Sequence, residues 1–227
     1  MQFLEWSIAG LRSARRSFRH TELGHEVTLY PMVHLGAPDF YEAVHADAAT
    51  HDAVVVEGVK SPVSRRLTRA YRWVRPARLG LVLQPKFDAP GCEIIHGDIA
   101  PEDFERLWRS GPLFERIAFE AGAGAFGLWG RVAATRASLG RHLNTTDLKS
   151  RNDIMDWSRR RAPLLDALHS ARNAVLCETV GTLLSDGPAR RRIAVIFGAG
   201  HMTSLSRSLA EAGCHPVESA WMTVFEA

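Results

Sequence analysis

Two distant segments of the chain share one pattern of apolar and polar positions: an apolar run, a histidine, a turn of small residues and then a helix. The first is "LYPMVHLGAPDF", residues 29–40, whose apolar run ends at His34. The second is "AVIFGAGHMTSLSRSLAEAG", residues 194–213, which contains His201. Only the fold could bring two histidines so far apart in the sequence together.

The first of these histidines belongs to a predicted strand–helix–strand unit. Residues 26–34, "EVTLYPMVH", predict a strand. Pro38 then suits the first turn of a helix, where its missing N–H costs nothing. Residues 52–58, "DAVVVEG", form a β-branched run that is typical of a strand buried on both faces of a parallel sheet. Together these segments predict a βαβ unit.

The alternation of strands and helices continues to the end of the chain. Residues 121–140 are rich in Gly and Ala and fit either a helix or a loop packed closely against another element. We predict a single α/β domain over residues 1–227, with a mainly parallel or mixed central sheet flanked by helices. The other predicted elements are an arginine-rich helix within 64–80, strands at 78–85 and 92–98, a helix from 100, two or three helices within 143–184, and a strand, turn, helix and strand over 192–225.

Composition supports an ordinary globular protein. Of the 227 residues, 46% are hydrophobic and 23% are charged, which is a typical soluble composition. No apolar run approaches the roughly 20 residues that a membrane-spanning helix needs. Glu5 and Trp6 interrupt the apolar part of the N-terminal segment, which is therefore wrong for a secretory signal. We expect a cytoplasmic protein. The three cysteines are scattered and indicate neither a zinc knuckle nor a disulfide framework.

The formal net charge of +3 is below what a dedicated nucleic-acid binder would carry, so we do not expect a nucleic-acid partner. One arginine cluster stands out. Arg65, Arg69 and Arg72 fall at helical spacing and would share a face of the helix. That face is either a solvated surface or a contact for phosphate, nucleic acid or an anionic membrane.

Chemistry-bearing side chains follow three of the predicted strands: His34, Glu57 and His201. Ligands of parallel α/β sheets bind outside the carboxyl ends of the strands, so we expect these side chains to converge. Neutral imidazole and carboxylate are good ligands for a divalent metal. The same set could act as general acid and base without a metal, and the spacing does not decide between the two. His96 and Asp98, at the end of "CEIIHGD", form a fourth candidate position.

These motifs resemble those of the TraB/GumN/Tiki family, which is related more distantly to erythromycin esterases and to ChaN-like haem-binding proteins. The family carries two Gly-x-x-His motifs, a strand-end glutamate and an Arg-Asn pair. In this chain "GAGH" at 198–201 is the second motif, "VVVEG" supplies Glu57, and "ARNAVLCETV" supplies Arg172 and Asn173. The first motif departs, because Pro31 stands where the family has glycine. The resemblance runs from about residue 27 to the end, and its central part, 85–150, matches nothing in the family.

The resemblance implies a set of site roles. His34, Glu57 and His201 would hold a divalent metal such as zinc, manganese or cobalt, with one coordination position left open. Glu178 would act as general base, or would be an ordinary surface glutamate. Arg172 would hold an oxyanion or a substrate carboxylate, would pair with Glu57 and orient it, or would form a structural salt bridge to a neighbouring helix. Asn173 would orient a ligand or cap a loop.

Activity varies within such a family, so three functions follow from the resemblance. The first is a metal-dependent hydrolase of peptide or amide bonds. The second is a metal-independent, esterase-like hydrolase. The third is a non-catalytic ligand-binding or signalling module of the TraB type. The first two act on a small-molecule or peptide substrate. The sequence leaves the substrate, the metal and a homo-oligomeric state open.

Overall fold

The computed structural model describes residues 2–144, 162–185 and 191–227. Within them lie nine strands and seven α-helices. The strands are β1 (Leu4–Ser7), β2 (Gly10–His20), β3 (Glu26–Met32), β4 (Leu35–Gly36), β5 (Ala53–Val56), β6 (Val82–Leu83), β7 (Glu93–His96), β8 (Arg192–Gly198) and β9 (Cys214–Phe225). The helices are α1 (Pro38–Ala48), α2 (Pro62–Trp73), α3 (Pro101–Ser110), α4 (Leu113–Ala133), α5 (Arg136–Leu143), α6 (Pro163–Ser185) and α7 (Met202–Glu211).

Four parallel strands form the centre of the sheet, in the order β3, β8, β5 and β7. Of these four strands β8 comes last in the sequence, yet it lies between β3 and β5, which come first and second. On the other side of β3 the antiparallel strands β1, β2 and β9 extend the sheet to seven strands. The predicted α/β class with a mixed, mainly parallel central sheet is therefore confirmed.

Helices cover both faces of the parallel strands, which explains the continuous apolar runs of β5 and β8. Alternate side chains point to opposite faces. On one face Val54 and Ile196 join a buried cluster with α1 and α5. On the other face Val55 and Val195 join a second cluster with α6 and α7. A third cluster, made by α2, α3 and the first turns of α6, lies apart from these two.

The predicted strand at 78–85 is mostly wrong. It is limited to the two residues of β6, which pair with β4 and not with the main sheet. The reason lies just upstream. Residues Pro76–Leu79 form a 3-10 turn between Arg75 and Gly80, both of which have left-handed backbone conformations. This turn uses the first half of the apolar run, and the remainder passes close to the end of β3.

The Gly- and Ala-rich stretch at 121–140 is helical and packed closely, one of the two structures that the sequence allows. It contains the last part of α4 and most of α5. Gly127 and Gly130 of α4 lie against α2, where a side chain on Gly130 would come within 2.5 Å of Val74 Cγ2. Of the helices predicted within 143–184, α6 is confirmed, and residues 145–161 lie outside the described residues.

The topology places the ends of all four parallel strands at one edge of the sheet. His34 follows β3, Glu57 follows β5, Asp98 follows β7, and the "GAGH" turn follows β8. This is the edge at which open α/β sheets bind ligands. No described helix combines the length and the hydropathy that crossing a lipid bilayer requires.

Candidate functional site

A cavity of about 1110 Å³ opens at this edge of the sheet. His34, Glu57 and Arg172 lie in its wall, together with residues of α2, α3 and α6 and of the segment around β6. Its volume is slightly above the range of typical small-molecule sites, on the order of 300–1,000 Å³. The cavity is therefore large enough for a substrate with two distinct parts.

Arg172 on α6 forms an ion network with two strand-end carboxylates, those of Glu57 and Asp98. Arg172 of α6 donates from Nη2 to Glu57 Oε1 at 2.5 Å and to Asp98 Oδ2 at 2.7 Å. Its Nε donates to Asp98 Oδ1 at 2.9 Å, so the contact with Asp98 is bidentate. Asp98 also accepts the main-chain N–H groups of Gly58 and Ile99. Arg172 thus pairs with Glu57, one of the three roles that the sequence leaves open for it.

The network keeps Glu57 ionised at neutral pH. Burial alone raises the pKa of this carboxyl, but the charge of Arg172 and the nearby imidazoles of His34 and His201 outweigh burial and bring the pKa below its usual value. The three charged side chains are at most 20% exposed, so solvent screens their interaction weakly. Glu57 is a fixed negative charge at the floor of the site.

Gly198 explains why a glycine opens the "GAGH" motif. Its N–H donates to Glu57 Oε2 at 2.5 Å. Its φ of −53° is open to any residue, so the requirement is one of space. A Cβ at this position would lie 3.0 Å from Glu57 Oε2, which is too close for an undisturbed contact. The motif glycine therefore lets the carboxylate approach the end of β8.

We expect Gly198→Ala to lower the free energy of unfolding by about 1–2 kcal/mol, since overpacking a tight site forces its neighbours to shift. Gly200→Ala is the matched control, because its Cβ would meet its nearest neighbour, His169 Cε1, at an ordinary 3.7 Å. Denaturant unfolding of both variants measures the difference. Equal stability of the two would contradict the close approach of Glu57 to Gly198.

His201 is buried and is held by Asn173. The distance from its Nδ1 to Asn173 Oδ1 is 2.6 Å, and Asn173 Nδ2 donates to Ser204 Oγ at 3.1 Å. An amide oxygen can only accept, so Nδ1 carries the proton and Nε2 keeps the lone pair. Burial, followed by the charge of Arg172, lowers the pKa of His201 to about 4. Asn173 thus orients an imidazole that is neutral at ordinary pH.

His201 does not itself line the cavity. Its ring stacks on that of His169, with centroids 4.5 Å apart, and meets Phe197 edge-on at 5.0 Å. His169 lines the cavity instead. His201 therefore supports the site through its contacts with Asn173, His169 and Phe197.

His34 does line the cavity. Its ring packs against Tyr71 of α2 at a centroid distance of 4.7 Å, and its main-chain oxygen accepts the N–H of Gln84 at 3.0 Å. Burial lowers the pKa of His34, opposed by the charge of Glu57 and reinforced by that of Arg172. The imidazole is therefore neutral at pH 7 and able to accept a proton.

Pro31, which replaces the glycine of the first motif, leaves the strand before His34 in register. Its oxygen accepts a hydrogen bond from Ser13 Oγ of β2 at 2.6 Å. The N and O of one strand residue lie on the same side of the strand, so the missing N–H also faces β2. The β2–β3 ladder already ends at Arg16 and Leu29. The proline therefore removes no hydrogen bond between β3 and β8.

The structure brings most of the predicted residues together, but not Glu178. That residue is exposed on α6 and does not line the cavity, because it lies on a different face of the helix from Arg172. His96 lines the cavity as an exposed side chain, and Asp98 belongs to the ion network.

The sequence did not lead us to His169, which also lines the cavity. Its spacing to Arg172, one helical turn apart on one face, was the signal that could have found it.

The donor set does not fit a metal ion well. The described ranges contain no group of three or more His, Cys, Asp or Glu side chains that could hold one. Arg172 and the Gly198 N–H each take one oxygen of Glu57, and His201 turns Nδ1 to Asn173. A divalent cation would also have to approach beside the guanidinium. The metal site at His34, Glu57 and His201 thus stays a prediction that this geometry does not favour.

Comparison with protein-family models, with curated proteins and with solved structures finds no match to this chain. The resemblance to the TraB/GumN/Tiki family accordingly stays a prediction that rests on the motifs alone.

Proposed function

We propose that this protein is a metal-independent hydrolase of ester or amide bonds, with His34 as its general base. The observation that carries the proposal is that His34 and Glu57 line one large cavity, in which burial keeps the imidazole of His34 neutral and Arg172 keeps the carboxylate of Glu57 ionised. Perturbed titratable groups that meet in a cavity are typical of catalytic sites.

In this proposal His34 takes a proton from a water molecule as that water attacks the carbonyl carbon of the substrate. The imidazolium that forms lies near the negative charge of Glu57, which favours it. Arg172 and the Gly198 N–H keep Glu57 in place and ionised. When the tetrahedral intermediate collapses, His34 returns the proton to the leaving oxygen or nitrogen.

Tyr71 is the proposed hydrogen-bond donor to the substrate carbonyl. Its ring packs against His34 and it lines the cavity. Burial, and then the charge of Glu57, raise the pKa of its phenol, so the hydroxyl keeps its proton at neutral pH. A donor aimed at a developing oxyanion stabilises the transition state most where water is excluded.

The other two predicted functions remain as outcomes of the test. A metal-dependent peptide or amide hydrolase would need the side chains of the ion network to rearrange around the metal. A non-catalytic TraB-type module would use the same cavity to bind a ligand. That option is favoured by one feature, namely that Arg172, Glu57 and Asp98 already satisfy one another. The cytoplasmic location, and a small molecule or peptide as substrate, belong to the proposal as well.

The test is hydrolysis of 4-nitrophenyl esters and peptide anilides by protein purified without a histidine tag, before and after dialysis against chelator. We expect ester hydrolysis that chelator leaves unchanged, since no step needs a metal. Activity that chelator abolishes and zinc, manganese or cobalt restores would instead establish the metal-dependent hydrolase. The absence of hydrolysis in every preparation would leave the binding module.

A further inference from the structure

Cations surround the cavity without matching carboxylates. Besides Arg172, which Glu57 and Asp98 neutralise, the cavity is lined by Lys60, Arg65, Arg72 and Lys86. Apart from Glu57, no Asp or Glu among the described residues lines it. A concave surface with one sign of charge concentrates ligands of the opposite sign.

Helix α2 places two of these cations at the cavity and one outside it. Ser64, Thr68 and Tyr71 line the cavity along one face of the helix, and Arg65 and Arg72 lie on the flank of that face. Arg69, which the sequence groups with them, does not line the cavity. The arginine cluster is thus divided by the fold into two cavity residues and one surface residue.

Other parts of the cavity wall are apolar. Phe104 and Trp108 of α3 and Leu165 and Leu168 of α6 line it. Trp108 and Leu168 are buried in the third apolar cluster, so this wall is backed by packed side chains. An apolar wall beside a group of cations suits a molecule with an apolar part and an anionic group.

We propose that the cavity binds a substrate in which an apolar acyl portion is joined to an anionic group, a carboxylate or a phosphate. The apolar portion lies against Trp108 and Leu168, and the anion lies at Arg65 and Arg72. This proposal rests on the proposed hydrolase function, because it names the substrate class of the same site.

The expected loss of affinity follows from the solvent exposure of the two arginines. Arg65 and Arg72 are exposed, and one exposed ion pair contributes little to binding. Removing either charge should therefore weaken the binding of an anion by up to about fivefold, and removing both by up to about 25-fold. Because salt screens exposed charges, with a Debye length of about 8 Å at physiological ionic strength, the difference should shrink as salt is added.

The experiment is a fluorescence titration with two probes that share an aromatic skeleton. One is 8-anilinonaphthalene-1-sulfonate, which is anionic, and the other is N-phenyl-1-naphthylamine, which is uncharged. The variants are Arg65→Gln, Arg72→Gln and the double variant. Arg69→Gln is the matched control, since it removes the same charge from the same helix outside the cavity. We expect the cavity variants to weaken the anionic probe alone, and Arg69→Gln to change neither.

Displacement of the anionic probe then distinguishes the two anions. Octanoate and octyl phosphate are compared with octanol, and the tighter of the two anions identifies the preferred group. Equal displacement by octanol, or equal weakening in Arg69→Gln, would overturn the proposal. These titrations need no turnover, so they test the anion site separately from the proposed function. Anion binding without hydrolysis would contradict the proposed function and leave the anion site standing. Hydrolysis without a preference for the anionic probe would contradict the anion site and leave the proposed function standing.

Discussion

Replacing Arg172 with methionine is expected to lower the free energy of unfolding by about 3–5 kcal/mol, the usual cost of removing one partner of a buried ion pair. The guanidinium is the shared partner of Glu57 and Asp98, and the side chain of Asp98 is only 2% exposed. Without the guanidinium, the neighbouring carboxylates of Glu57 and Asp98 would lie close together with no positive charge between them. Denaturant unfolding measures the loss.

Two further variants test whether the loss of stability comes from the buried ion network. Arg207→Met removes an exposed arginine of α7 and should change the free energy of unfolding by less than about 0.5 kcal/mol. Adding Glu57→Gln and Asp98→Asn to Arg172→Met should recover part of the loss, because no unpaired charge then remains. A loss below about 1 kcal/mol in Arg172→Met would mean that the network is not buried as described.

Replacing His34 with glutamine is expected to lower kcat/KM for ester hydrolysis by about 10²–10⁴-fold, the usual contribution of a general base. Glutamine keeps a polar side chain of similar length but cannot take a proton at neutral pH. The fold should be retained, because the main-chain contact of residue 34 with Gln84 does not involve the imidazole.

The control is His215→Gln, an exposed histidine on β9 that does not line the cavity. It should leave kcat/KM unchanged. A rise in KM with kcat unchanged, or a similar loss of kcat/KM in both variants, would count against His34 as the base. If His34→Gln kept full activity while His169→Gln lost it, the base would be the cavity histidine on α6.

The sequence was sufficient to predict the sheet edge that carries the site. The apolar runs of β3, β5 and β8 needed two covered faces, which only a parallel sheet with helices on both sides supplies. Parallel strands end at a common edge, so His34, Glu57 and the "GAGH" turn had to lie near one another. Strand order was not predictable, because β8 inserts between two strands formed much earlier in the chain.

The orientation of the side chains at that edge could not be predicted from the sequence. His201 follows β8 but turns away from the cavity, because the 3-10 turn Ala199–His201 directs its ring to Asn173 and His169. That direction depends on where α6 packs, which no local pattern encodes. The same packing brings Arg172 between Glu57 and Asp98, and it leaves Glu178 in solvent.

In the proposed mechanism the neutral imidazole of His34 performs the proton transfer. The most direct measurement is the pH dependence of kcat/KM, set beside the NMR titration of the His34 ring in the same protein. We predict that kcat/KM falls as pH decreases through the pKa of His34, because protonation removes the base. That pKa should lie below the ordinary value of 6.5, since burial disfavours the charged ring. A profile that stays flat through the measured pKa of His34 would contradict the account.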